Sequence, residues 1–106
     1  MLRPLARGEG ARYRRYDWEA EAWAEWHDVP VADVLVVEGC GAAPRAVDPD
    51  VVLRVWVEAP EATRLARGLA RDGEAMRDHW LRWMVSESAH FAAEGTRERA
   101  DVRFVT

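Results

Sequence analysis

The residues with chemical potential fall into two groups. Glu38 ends the run Asp33-Val34-Leu35-Val36-Val37 and is followed by Gly39, Cys40 and Gly41. A carboxylate at the carboxyl end of a buried strand can hold Mg²⁺, directly or through water, against phosphate oxygens. It can equally close a strand without any ligand. Arg64, Arg67 and Arg71 follow an i, i+3, i+7 spacing, with Arg77 beyond Gly73. On a helix that spacing sets three guanidiniums on one side, where they repel one another unless anions sit between them. Phosphate satisfies this arrangement, because each guanidinium fork donates two hydrogen bonds. The alternative is a solvated face neutralised by Asp72, Glu74 and Asp78.

Other constellations carry less. His79 and His90 share a helical face, but eleven helical residues separate them by about 16 Å, too far for one metal ion. Ser86 and Ser88 have no nucleophile-elbow glycines around them. His27 reads as a surface or interface residue. Cys40 is the one cysteine, which excludes an internal disulfide and a cysteine zinc cluster and fits a reducing cytoplasm. The run Arg12-Tyr13-Arg14-Arg15-Tyr16 has the cationic and aromatic character of a single-strand nucleic-acid platform. One such run in a chain of net charge −4 argues against a dedicated nucleic-acid binder.

The elements that must position these groups follow from pattern. Residues 33–39 form a continuous β-branched run, which predicts a central parallel strand covered on both faces. A second strand is expected over 51–58, interrupted by Arg54. Pro60 and Glu61 suit a helix start, and Ala62, Leu65, Ala66, Leu69 and Ala70 recur at helical spacing as far as Gly73. A longer helix is expected from about 74 to 94, with Met76, Trp80, Trp83, Met84 and Phe91 on its apolar side and Gly95 at its C-cap. Residues 100–106 read as a last strand. Over 17–28 the tryptophans fit a helix face or a turn between strands, and the Ala and Glu content favours helix.

Composition adds exclusions. The 106 residues are 49% hydrophobic and 32% charged, which excludes disorder, and no apolar run nears the roughly 20 residues that cross a bilayer. All 15 basic residues are Arg; Lys, Ile, Asn and Gln are absent. Absence of Lys removes Schiff-base chemistry and a lysine-bearing phosphate loop from this chain. A GC-rich codon bias accounts for the composition without any functional cause.

Taken together, Glu38-Gly39 after its apolar strand, the segment Tyr16-Asp17-Trp18, and Arg64-Leu65-Ala66-Arg67 through Arg71-Asp72 to Arg77-Asp78 resemble the uridine-kinase branch of P-loop NTPases. The resemblance implies an α/β fold, a three-layer α/β/α arrangement of parallel strands with the phosphate-loop strand missing. It assigns Glu38 to the Mg²⁺ side, Arg64, Arg67, Arg71 and Arg77 to a lid over ATP, and Tyr16 and Asp17 to the nucleoside. It implies ATP and Mg²⁺ as cofactors and a small-molecule phosphoryl acceptor. Where the family has a nucleoside-contacting His, this chain has Glu21. The resemblance covers nearly all of this chain but only about the C-terminal half of a family member.

The expectation is a single partial domain over 1–106. Its parts are a substrate-side segment (1–31), the acid-bearing strand, loop and next strand (32–58), the lid-like and long helices (59–95) and the terminal strand (100–106). The chain alone is expected to lack nucleoside kinase activity. The other reading is a non-catalytic binding or regulatory module, a split-kinase half that pairs with a complementing chain or with its own copies. The expected setting is the cytoplasm.

Overall fold

A computed structural model describes all 106 residues. The chain is mixed α/β with two small sheets, one antiparallel and one parallel. No helix is long and apolar enough to cross a membrane. The structure divides into two compact units: Met1–Glu38 with Val47–Val51, and Gly39–Ala46 with Val52–Thr106.

The first unit opens with the short helix α1 (Leu2–Ala6) and is built on a hairpin of β1 (Ala11–Asp17) and β2 (Ala22–Val29). The helical preference inferred for 17–28 gives way to this hairpin. Cross-strand aromatic and ionic pairs override intrinsic propensity there. Tyr13 stacks on His27 with centroids 5.1 Å apart, and Tyr16 meets Trp23 edge-on at 5.2 Å. At the corner, the Asp17 carboxylate accepts the N–H groups of Glu19 and Ala20 at 3.0 and 2.9 Å, an Asx-type turn. Glu21 takes a positive φ of 50° to close it.

Between Arg14↔Trp26 and Tyr16↔Trp23 the register slips, so Arg15 opposes both Ala24 and Glu25. This bulge puts Trp23 and Trp26, three residues apart, on one face of a strand. A regular strand would place them on opposite faces, and the same spacing read in sequence suits a helix. Arg14 fastens the bulge, its Nε donating to the Ala24 carbonyl at 2.8 Å. On the other face Arg15 pairs with Glu25 at 2.7 Å. That guanidinium, a backbone hydrogen bond and His27 hold the Glu25 carboxyl down at about 2.

The run 33–39 is the clearest departure from expectation: it forms no strand. Strand propensity expresses fit to a pleated, half-buried surface, and it is realised only beside a pairing partner. The strands of each sheet pair only with one another, and the backbone groups of residues 34–37 pair with nothing else in the chain.

The second unit follows β3 (Val55–Glu58), α2 (Glu61–Asp72), a 3₁₀ turn at Glu74–Met76, α3 (Arg77–Glu94) and β4 (Val102–Val105). β3 and β4 are parallel, with Val55↔Val102 and Val57↔Phe104 in register. Parallel pairing needs a long crossover, which α2 and α3 supply. β3 is shorter than the expected 51–58. It begins where the Asp101 carboxylate accepts the Arg54 N–H at 2.7 Å and the Arg54 carbonyl accepts the N–H groups of Asp101 and Val102.

Both helices end as their glycines dictate. Gly73 has φ +98° and donates its N–H to the Leu69 carbonyl at 2.8 Å; Gly95 is left-handed at φ +59°. Trp56 of β3 meets Phe91 of α3 edge-on at 4.7 Å, and the buried apolar side chains are Leu69 and Met84. On the face of the pair away from Trp56, the side chains of Val55, Val57, Val102 and Phe104 are all exposed. A parallel sheet is ordinarily covered on both faces.

A bidentate ion pair ties the end of β3 to the turn after α3, Arg97 to Glu58 at 2.7 and 3.1 Å. Arg97 first, and the Trp56 indole second, lower the Glu58 carboxyl from the ordinary 4.5 to about 2. A carboxyl lowered on folding stabilises above its unfolded value and loses that contribution as pH falls through its folded value. The melting temperature of this unit is therefore expected to fall as pH drops from about 4.5 to about 2, with a shallower slope in Glu58→Gln. Carboxyl NMR checks the site directly: titration of Glu58 near 4.5 would contradict the assignment.

Candidate functional site

Amphipathic spacing on α2 turns Arg64, Arg67 and Arg71 to the side opposite the buried Leu69. They line an open groove of about 420 Å³ together with Gly68 and, from α3, Trp80, Trp83 and Glu87. Each guanidinium has a different situation. Arg64 is paired with Glu87 at 2.6 Å. Arg71 grips Asp72 with two hydrogen bonds, of 2.7 and 3.0 Å, and lies over the Trp80 ring at 5.7 Å. Arg67 has no carboxylate partner and donates to the Thr106 hydroxyl at 3.1 Å.

The indole that forms one wall is held from two sides. Trp80 Nε1 donates to the second oxygen of Asp72 at 3.0 Å. The ring also lies against the backbone at Gly68, where a Cβ would come within 2.6 Å of its Cε2. Asp72 serves both Arg71 and Trp80, and those bonds, Arg71's first, hold its carboxyl below the usual range. The groove thus combines fixed ring surface with a cation not neutralised within the chain.

The remaining site candidates lie elsewhere. Arg77 does not line the groove; its Nε contacts Glu74 at 2.5 Å across the turn before α3. Tyr16, Asp17 and Glu38 belong to the first unit. Asp17 caps the hairpin turn, and Tyr16 packs edge-on against Trp18 and Trp23. Glu38 is exposed on an irregular segment and stands at no strand end.

That placement decides the fit to Mg²⁺. The ion takes an octahedral oxygen shell and is held by carboxylates together with substrate phosphates. No three His, Cys, Asp or Glu side chains converge anywhere in the chain. Glu38 offers one exposed carboxylate, so these residues do not fit a Mg²⁺ site. His90 is half-buried with its Nε2 unpaired and close to Phe91, which places it against α3's apolar side.

Sequence reasoning missed Glu87 as the partner of Arg64. The two are 23 residues apart on different helices, and only their packing brings them together. No protein-family model matches the chain, and no curated protein matches it. The likeness to uridine kinases rests on the residues quoted above.

Proposed function

We propose that this chain is a nucleotide-binding part of an ATP-binding α/β protein of the uridine kinase-like P-loop class, acting in the cytoplasm. In this reading β3 and β4 belong to a larger parallel sheet of three-layer α/β/α type. The α2–α3 groove takes the phosphates and base of ATP, and phosphoryl transfer to a small-molecule acceptor belongs to the wider assembly. The observation that carries the reading is the meeting of Arg64, Arg67 and Arg71 with Trp80 and Trp83 in one groove.

The chemistry follows from the geometry. Arg67 can present its planar fork to a phosphate oxygen pair without first breaking an ion pair. Aromatic rings at the wall stack a base, a contact worth about 1–3 kcal/mol. Catalysis is a separate matter: positioning and charge stabilisation do nearly all the work of phosphoryl transfer. This chain contains no Lys and no clustered carboxylates, so no transfer step is assigned to it.

ATP titrated without Mg²⁺ is expected to bind, and Arg67→Glu to weaken it at least about tenfold, the loss of one charged hydrogen bond of roughly 1.5–3 kcal/mol plus a new repulsion. Isothermal calorimetry reads both. Undiminished binding by Arg67→Glu, or none by the parent chain, would overturn the assignment.

A second reading, a binding module that associates with another chain, is favoured by the open apolar face of Val55, Val57, Val102 and Phe104. Contiguous exposed apolar surface marks interaction sites.

A further inference from the structure

We infer that two copies of this chain exchange strands, residues 34–37 of each adding to the free edge of β3 in the other. The inference rests on the associating-module reading and names its partner and contact. Two unmet surfaces in the same chain are complementary.

The first is the run itself. Val34, Leu35, Val36 and Val37 have high strand propensity, lie in an irregular segment and leave their backbone groups unpaired. Val34 and Val36 are 80% and 83% exposed. Drawn out as a strand, these two share a face and Leu35 and Val37 share the other.

The second surface is the outer edge of β3. In a parallel pair, alternate residues of a strand turn their N–H and C=O to the same neighbour. The carbonyls of Arg54 and Glu58 accept from Val102 and Thr106, so the intervening alternation sends the backbone groups of Val55 and Val57 away from β4. No hydrogen bond meets them there. An exposed, flat, apolar edge is a template for strand addition.

The two match in length and character. The run and β3 each span four residues, and pairing them lays Val34 and Val36 beside Val55 and Val57 on the open face if parallel, and Val37 and Leu35 if antiparallel. Set residue for residue on Val55–Glu58, the run brings Asp33 opposite Arg54 if parallel and Glu38 opposite Arg54 if antiparallel. Either direction sets an acid beside Arg54, whose guanidinium lies 3.6 Å from Asp101 and would be shared between the two carboxylates. Exchange is reciprocal under a two-fold axis, so both edges close and the assembly stops at two copies.

Light scattering coupled to size-exclusion chromatography tests this on the full chain. The expected result is the mass of two chains for the parent and of one chain for Leu35→Pro. With Val55 and Val57 turned toward the added strand, the N–H groups it must supply in either direction are those of Leu35 and Val37. Proline at 35 removes one of them, and at an exposed irregular position it leaves each unit folded. Amide exchange should show protection at Leu35, Val37, Val55 and Val57 in the parent dimer and its loss in Leu35→Pro.

A parent of single-chain mass at every concentration would overturn the exchange and self-association together. A dimer that survives Leu35→Pro but dissolves in Val57→Asp would overturn the exchange and leave association through the open face standing.

Discussion

Met84→Ala is expected to abolish cooperative folding of the second unit or to lower its melting temperature by at least about 10 °C. Little of this unit is buried. Among its apolar side chains only Leu69 and Met84 fall below a tenth exposed, at 8% and 6%. A unit of about 60 residues is held by roughly 3–9 kcal/mol in all. Truncating a buried Met to Ala costs about 2–5 kcal/mol, through lost transfer energy and the cavity left behind. Two buried side chains share the load, so loss of one approaches the whole margin. At this size 1 kcal/mol shifts the melting temperature by about 4–8 °C. Val85, the next residue, is 72% exposed, and Val85→Ala is expected to stay within about 0.5 kcal/mol of the parent. Thermal unfolding followed by circular dichroism separates the two variants. Equal melting temperatures for Met84→Ala and Val85→Ala would show that α3 is not held by its buried face.

That thin core explains which parts of the fold were legible. Helices carry their own hydrogen bonds, so α2 and α3 could be read from local signals: Pro60 and Glu61 at one start, Gly73 and Gly95 at the ends. Strands take theirs from elsewhere. Residues 34–37 have the strongest strand composition in the chain and form none, while Arg12, Tyr13 and Arg14 lie in a strand that composition did not announce. The hairpin was hidden further by its bulge, which gives Trp23 and Trp26 the spacing of a helix face. Its corner is specified by Asp17 through backbone N–H groups two and three residues on, and that same carboxylate had a nucleoside role by resemblance.

At the candidate site the legible part was the arginine spacing, and the hidden part was the supply of counter-charges. Asp72 and Glu74 are near in sequence and do serve Arg71 and Arg77. Glu87 comes from the next helix, and the lack of a carboxylate on Arg67 is a property of packing that no spacing rule reports. In the proposed nucleotide site the weight therefore falls on Arg67, with Arg64 and Arg71 flanking it in engaged pairs.

Gly68→Ala is the second large effect expected, and its sign runs against the usual rule. Within a helix, Gly→Ala ordinarily stabilises by about 0.5–1 kcal/mol, because glycine loses the most backbone freedom on folding. At Gly68 the new Cβ would lie 2.6 Å from Trp80 Cε2, 2.7 Å from Cζ2 and 3.0 Å from Cδ2. The contact is with the fused edge of a rigid ring. Nor is the ring free to swing, since Asp72 holds its Nε1 and Arg71 lies over it. Overpacking of this kind costs about 1–3 kcal/mol, enough to exceed the helical gain. Gly68→Ala is expected to lower the melting temperature of the second unit and to shift tryptophan emission as the Trp80–Asp72 bond breaks. In a Trp80→Leu background the obstacle is gone, and the same substitution should turn neutral or stabilising. Such a reversal is a direct coupling between two touching positions. A stabilising Gly68→Ala in the parent chain would mean that Trp80 does not rest on α2. Because Gly68 and Trp80 both line the groove, ATP affinity should fall in the single variant too; stability lost with affinity kept would separate the packing of this wall from its use in binding.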